Sequence, residues 1–151
     1  MKAQKAYTLA ELIVAVLLIT VLTGVAVPRL QFGFTHRKEA EATARKIVID
    51  LRRARSLAIL NAATNSDGFA LCLRNGDEGA TYDTVDLSDQ SIVDSHAVGS
   101  GIDLSGQMRF EFDSLGALKN TKPSSLSVAA SGKTFAISVI PATGMVKCLE
   151  Q

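Results

Sequence analysis

Tryptophan is absent from these 151 residues, and only two cysteines and two histidines occur. Cys72 and Cys148 have no metal-ligand spacing and form no CxxC, and the only histidines are His36 and His96. A glycine-rich phosphate loop, an HExxH helix and a GxSxG elbow are all missing. These absences remove the usual nucleotide-binding, zinc-hydrolase and serine-hydrolase classes. Nothing in the residues argues for an enzyme or a cofactor. A strong charge of one sign is missing as well: the net charge is +1. It hides an uneven distribution, +2 over residues 1–33, +4 over 34–62 and −5 over 63–151. Charge is lacking altogether from residues 12–28, a run of seventeen.

What fills that run is aliphatic. Counted from Tyr7 the stretch is twenty-two residues, about 33 Å as a helix, enough to cross a bilayer core of about 30 Å. One acid, Glu11, lies near its start. An ionised group at the centre of a membrane helix costs roughly 3 kcal/mol or more, so such a residue usually has a partner. A short basic leader, residues 1–6 with Lys2 and Lys5, comes before it. Three plainer readings stand beside a functional one. The segment suits a secretory signal peptide cut after Ala26, although an acid at the mouth of the apolar region argues against that. It suits a simple single-pass anchor. Thr8-Leu9-Ala10-Glu11 also fits the S/T-x-x-E capping box, in which Glu11 merely closes a helix start.

The register of these features resembles the N-terminus of type IV pilins and type II secretion pseudopilins. Cleavage between Ala6 and Tyr7 makes Tyr7 the first mature residue, Glu11 the fifth and Pro28 the twenty-second, as in that family. The chain departs from the pattern at Ala6, usually Gly, and at Ala10, usually a larger aliphatic. The resemblance implies leader removal by a prepilin peptidase, N-methylation of Tyr7 and insertion in the bacterial inner membrane with the head outside the cytoplasm. It also implies passage through an inner-membrane assembly platform into a filament. Glu11 would pair with the N-terminal amine of a neighbouring subunit, and the segment from Gly24 to Pro28 would loosen in the filament. Gly24 and Pro28 are themselves helix-weakening residues, so a break is expected there.

From about residue 36 to 61 a second helical pattern appears. Ala40, Ala44, Ile47, Leu51, Ala54 and Ala58 recur at steps of four and three and form one stripe. Lys38, Glu41, Arg45 and Arg52 take the other side. Glu41 and Arg45, and Lys46 and Asp50, are spaced to pair. Arg52, Arg53 and Arg55 read first as a solvated face, with a contact patch for an acidic neighbour or nucleic acid as the alternative.

After Asn61 the pattern changes to strands: 68–73, 91–98, 108–112 with Met108, Phe110 and Phe112 facing in, 126–129, 133–140 and 145–149. Turns fall at 113–116, Ser131-Gly132 and 141–144. Residues 75–89 read as an acidic loop. Within it Asp83, Asp86 and Asp89, near Asp77 and Glu78, are a weak calcium candidate beside the better reading of a solvated loop. The divisions are therefore a leader (1–6), an apolar transmembrane or filament-core helix (7–28), an amphipathic helix (29–62) and a β-rich head (63–151).

The second half is also similar to H-type minor pseudopilins and related minor pilins, the GspH/FimT family. The likeness rests on the helix end 51–58 with Asn61, the strand carrying Cys72, Phe112-x-x-x-Gly116, and Ile137-x-Val-x-x-x-x-Gly144-x-Val146. It implies an α+β fold, a long helix packed on an antiparallel head of two small sheets. The implied function is a structural subunit, with a tip, priming or adaptor place in a pilus or pseudopilus. A major pilin and a DNA-binding minor pilin are the alternatives, the latter disfavoured by the acidic head. In an oxidising compartment Cys72 and Cys148 are expected to form a disulfide, with two separate thiols as the alternative.

Overall fold

The computed structural model describes residues 8–76, 79–119 and 124–150, without the side chains of 25–37. The chain divides into two units, Met1–Thr35 and His36–Gln151, and one helix, α1 (Leu9–Leu60), supplies residues to both. In the first unit Thr8 caps α1. Its Oγ1 accepts from the Glu11 amide at 3.3 Å, and its carbonyl accepts from the Glu11 and Leu12 amides at 3.1 and 3.2 Å. This is the accepting half of a capping box. The expected break at Gly24 and Pro28 is not an interruption, because helix continues through both and through 29–35. A proline removes one intrahelical donor, which can bend a long helix without ending it.

The second unit holds the rest of α1 and eight strands: β1 (Phe69–Gly76), β2 (Gly79–Asp86), β3 (Ile92–Ala97), β4 (Asp103–Gly106), β5 (Arg109–Phe112), β6 (Ser124–Ala130), β7 (Lys133–Ile140) and β8 (Met145–Glu150). They form two antiparallel sheets of four, ordered β3-β2-β1-β5 and β4-β6-β7-β8. The fold is α+β, as expected. The stripe read from the sequence is the buried face of α1: Ala40, Ala44, Ile47, Leu51, Ala54 and Ala58 are all inaccessible to solvent. They join one core with Leu71, Phe110 and Phe112 of the first sheet and Leu126, Ile137 and Val139 of the second. Four alanines at the contact remove side-chain bulk, so both sheets can pack against one helix. Leu51, fully buried among them, is worth about 2–5 kcal/mol against alanine.

Two turns show why glycine is needed. Ser131 and Gly132 both have positive φ, 48° and 80°, in the two-residue connection where Ala130 faces Lys133. That is the pairing a type I′ hairpin requires. Gly116 and Gly144, which the sequence only matched to a family pattern, lie against each other. A Cβ on Gly144 would sit 2.0 Å from the Gly116 carbonyl oxygen and 2.9 Å from Arg55 Nε.

One expectation fails here. Residues 79–86, read as loop, are strand β2 in the first sheet, with Tyr82, Asp83, Thr84 and Val85 buried. The acids misled the reading, because composition cannot show that Ser95 and Arg74 would be there to receive Asp83.

Candidate functional site

The exposed apolar part of α1 is the first candidate. Ten large aliphatic residues between Leu9 and Leu22 keep 53–79% of their surface exposed. They face every side of the helix, a pattern that belongs to a buried or membrane helix. Each gains up to about 1.5–3 kcal/mol when withdrawn from water. The polar groups in this stretch are already satisfied. Thr20 and Thr23 donate to the carbonyls of Val16 and Ile19 on the preceding turn. Glu11 therefore carries the one charge of residues 9–24, on an exposed first turn. Ala6 and Tyr7 lie outside the described residues, as do the side chains of 25–28. Among the described residues no helix is long and apolar enough to cross a membrane.

Arg52, Arg53 and Arg55 do not form one free basic patch. Arg53 Nη1 meets Asp94 Oδ2 at 2.6 Å. Arg55 Nε donates to the Gly116 carbonyl at 3.1 Å, and Arg52 Nη2 to the Val146 carbonyl at 3.4 Å. Arg53 thus turns to the first sheet, while Arg52 and Arg55, three apart on one face of the helix, both reach the neighbourhood of the 143–146 turn. The Arg53 hydrogen bond holds the Asp94 carboxyl below the usual carboxylate range, with His96 adding to the effect.

Asp94 belongs to a polar cluster that the sequence reading missed. Asp50, expected to pair with Lys46, is instead buried and accepts from the Tyr82 hydroxyl at 2.8 Å. His96 Nε2 lies 3.8 Å from Asp50 Oδ2 and 3.4 Å from Asp94 Oδ2, and its ring is tilted against Tyr82 with centroids 5.3 Å apart. Tyr82 and His96 are cross-strand partners on β2 and β3. Burial, then the bond to Asp50, pushes the Tyr82 phenol well above its ordinary value. The cluster ties α1 to the first sheet through groups that would each be costly if buried alone. A sequence signal did exist: Asp50 falls between Ile47 and Leu51 at the edge of the buried stripe.

The weak calcium candidate is not assembled. Asp83 is buried, accepts from Ser95 Oγ at 2.6 Å and lies 3.6 Å from Arg74. Asp86 accepts from Asn65 and Ser88, and Asp89 from the Ser91 amide. Among the described residues no group of three His, Cys, Asp or Glu could hold a metal ion. Asp77 and Glu78 lie outside them.

The expected disulfide is also corrected. Cys72 and Cys148 are both free thiols, one buried on β1 of the first sheet, the other exposed on β8 at the edge of the second. Ladder pairing fixes each in its own sheet, Cys72 opposite Asp83 and Cys148 opposite Ile137. Burial pushes the Cys72 thiol up, against the pull of Arg109 and Arg74.

Comparison with known proteins agrees with this geometry. The prokaryotic N-terminal methylation motif matches residues 1–27. No curated protein sequence matches the chain. Its fold is similar to the crystal structure of the type IV minor pilin FimU of Pseudomonas aeruginosa, at 19% identity and a TM-score of 0.61, over 77% of this chain and 92% of that one. It is also similar to the minor pseudopilin EpsH from the type 2 secretion system of Vibrio cholerae, at 15% identity and a TM-score of 0.51, over 74% and 96%. At these identities the likeness is one of fold.

Proposed function

We infer that this chain, which has the N-methylation motif of prepilins and the fold of the type IV pilin and pseudopilin superfamily, is a structural subunit of a pilus or pseudopilus. The observation that carries the reading is the exposed apolar stretch of α1 with Glu11 as its one charge. A helix of that kind needs a bilayer first and neighbouring helices afterwards. In this reading a prepilin peptidase cuts between Ala6 and Tyr7, and the new amine of Tyr7 is N-methylated. Residues 7–28 anchor the subunit once across the inner membrane with the head outside the cytoplasm. An inner-membrane assembly platform then moves it into the filament beside other pilin subunits. Glu11 takes the Tyr7 ammonium of a neighbour as its partner, which offsets the cost of a charge in an apolar setting. The place in the filament is that of a minor subunit, at the tip or as an adaptor.

The test is Glu11→Ala. The substitution makes the helix more apolar and lies outside the unit that forms the head, so membrane insertion and head folding are expected to persist while incorporation into sheared filaments falls. Incorporation at the wild-type level would remove Glu11 from assembly. The DNA-binding alternative has less support: Arg53 is paired with Asp94, and Arg52 and Arg55 each donate to a backbone carbonyl of the head.

A further inference from the structure

Three connected hollows run between α1 and β8. The first lies between Glu41 and Arg45 of the helix and Cys148 and Glu150 of the strand, the second between Arg45, Ile49 and Arg52 and Cys148, the third between Arg52 and Arg55 and residues 143–146. Their volumes are about 230, 250 and 210 Å3. Arg45 and Cys148 are shared by the first two and Arg52 by the last two, so they make one trough. Helix residues 41–55 extend about 21 Å, and the six residues of β8 about 20 Å.

The wall of this trough is an open sheet edge. Among the described residues no strand pairs with the outer side of β8, which ends the order β4-β6-β7-β8. The other three edges are guarded by shape. β3 carries a register shift at Thr84/Val85 of its partner, and β4 and β5 are four residues each. β8 is six residues in unbroken register with β7, without proline or bulge. Soluble proteins normally blunt such an edge. Here the Arg52 guanidinium donates to the Val146 carbonyl from the helix side. Backbone groups alternate along an antiparallel strand, so Cys148 and Glu150 turn theirs the same way as Val146. Exposed apolar side chains lie on either side of the edge, Ile49 at 61% on the helix and Leu149 at 65% on the outer face of β8, away from Cys148. Arg45, whose side chain is 75% exposed and pairs with Glu41 one turn away, lines the trough with Arg52 and Arg55, against two carboxylates, Glu41 and a Glu150 held by Lys133.

We propose that the α1–β8 trough is a docking site for an extended segment of another protein that alternates acidic and apolar residues. The segment adds as a fifth strand to β8, taking the Val146 carbonyl over from Arg52, with its carboxylates on the helix side at Arg45 and Arg52 and its apolar side chains on the outer face beside Leu149. Main-chain pairing supplies affinity and the arginines select the charge. This does not depend on Glu11 or on filament assembly, so failure of either leaves the other standing.

The probe is a labelled peptide alternating Glu and Val, equal in length to β8, titrated into the full chain in detergent micelles and read by anisotropy. A Lys-Val peptide of the same length is the control. Cys148 serves as the reporter, since Cys72 is buried. The Glu-Val peptide is expected to bind, to slow alkylation of Cys148 and to weaken about 10-fold in the exposed double variant Arg45→Gln, Arg52→Gln. Equal binding of the Lys-Val peptide, or binding that leaves Cys148 alkylation unchanged, would overturn the proposal. Protection of Cys148 by a single-stranded oligonucleotide but not by the Glu-Val peptide would overturn it in favour of nucleic acid. Protection that rises with protein concentration alone would overturn it in favour of a second copy of this chain.

Discussion

Replacing Gly144 with alanine should unlock the place where α1, the 113–116 turn and the β7–β8 turn meet. Two costs arise. Gly144 has φ of +62°, where an L-residue pays roughly 1–2 kcal/mol. The new methyl would also lie 2.0 Å from the Gly116 oxygen and 2.9 Å from Arg55 Cδ. Neither neighbour can yield freely. Gly116 is itself confined, since a Cβ there would be 2.6 Å from Ile59 Cδ1, and its carbonyl accepts from Arg55 Nε at 3.1 Å. Relieving the overlap requires overpacking strain of about 1–3 kcal/mol or loss of a charged hydrogen bond worth about 1.5–3 kcal/mol. One movement relieves both, so the added cost is about 2–3 kcal/mol rather than their total. Gly132→Ala is the matched control: φ is +80° and nothing lies within 4 Å of its Cβ. It isolates the backbone cost. Thermal unfolding of the full chain in detergent micelles, read by near-UV dichroism through buried Tyr82, should place Gly144→Ala about 5–10 °C below Gly132→Ala. Equal melting of the two variants would refute the close approach of Gly116 and Gly144.

Tyr82→Phe should cost about 1–3 kcal/mol in a denaturant titration, because it leaves buried Asp50 without its phenolic donor; an unchanged midpoint would mean that His96 or water replaces the hydroxyl. The Tyr82 phenol is raised in the folded state, so its contribution is complete below the unfolded value of about 10 and is lost as the pH climbs above it. Ultraviolet titration should therefore show Tyr82 ionising together with unfolding of the head, and ionisation in a still-folded head would contradict its burial. A thiol-reactive mass tag should add once to the native chain, at Cys148, and twice to the denatured, unreduced chain. No tag on the denatured chain would restore the disulfide and refute the placement of the two cysteines in separate sheets.

Some of this protein follows from local pattern alone. The stripe from Ala40 to Ala58 was legible because a helix repeats its contacts every three or four residues, and any partner must meet that face. Strand β7 and the Ser131-Gly132 turn were legible for a similar reason, since alternation and positive φ are properties of neighbouring residues. The apolar stretch after Glu11 announces its need for a non-aqueous surrounding without any tertiary contact. Other features depended on residues distant in the chain. Strand β2 was concealed because Asp83 looks solvated until Ser95 and Arg74 are placed beside it. Asp50 read as a helix-surface partner of Lys46 until Tyr82 arrived from the sheet. The cysteines suggested a bridge because the sequence counts thiols but does not say which sheet holds each strand. The arginines read as one patch because they are adjacent, whereas Arg53 points about 100° from Arg52 and meets Asp94, leaving Arg52 and Arg55 on another face with Val146 and Gly116. Periodicity determines which face of an element is buried; only the packed structure decides what that face, and each polar group beside it, is buried against.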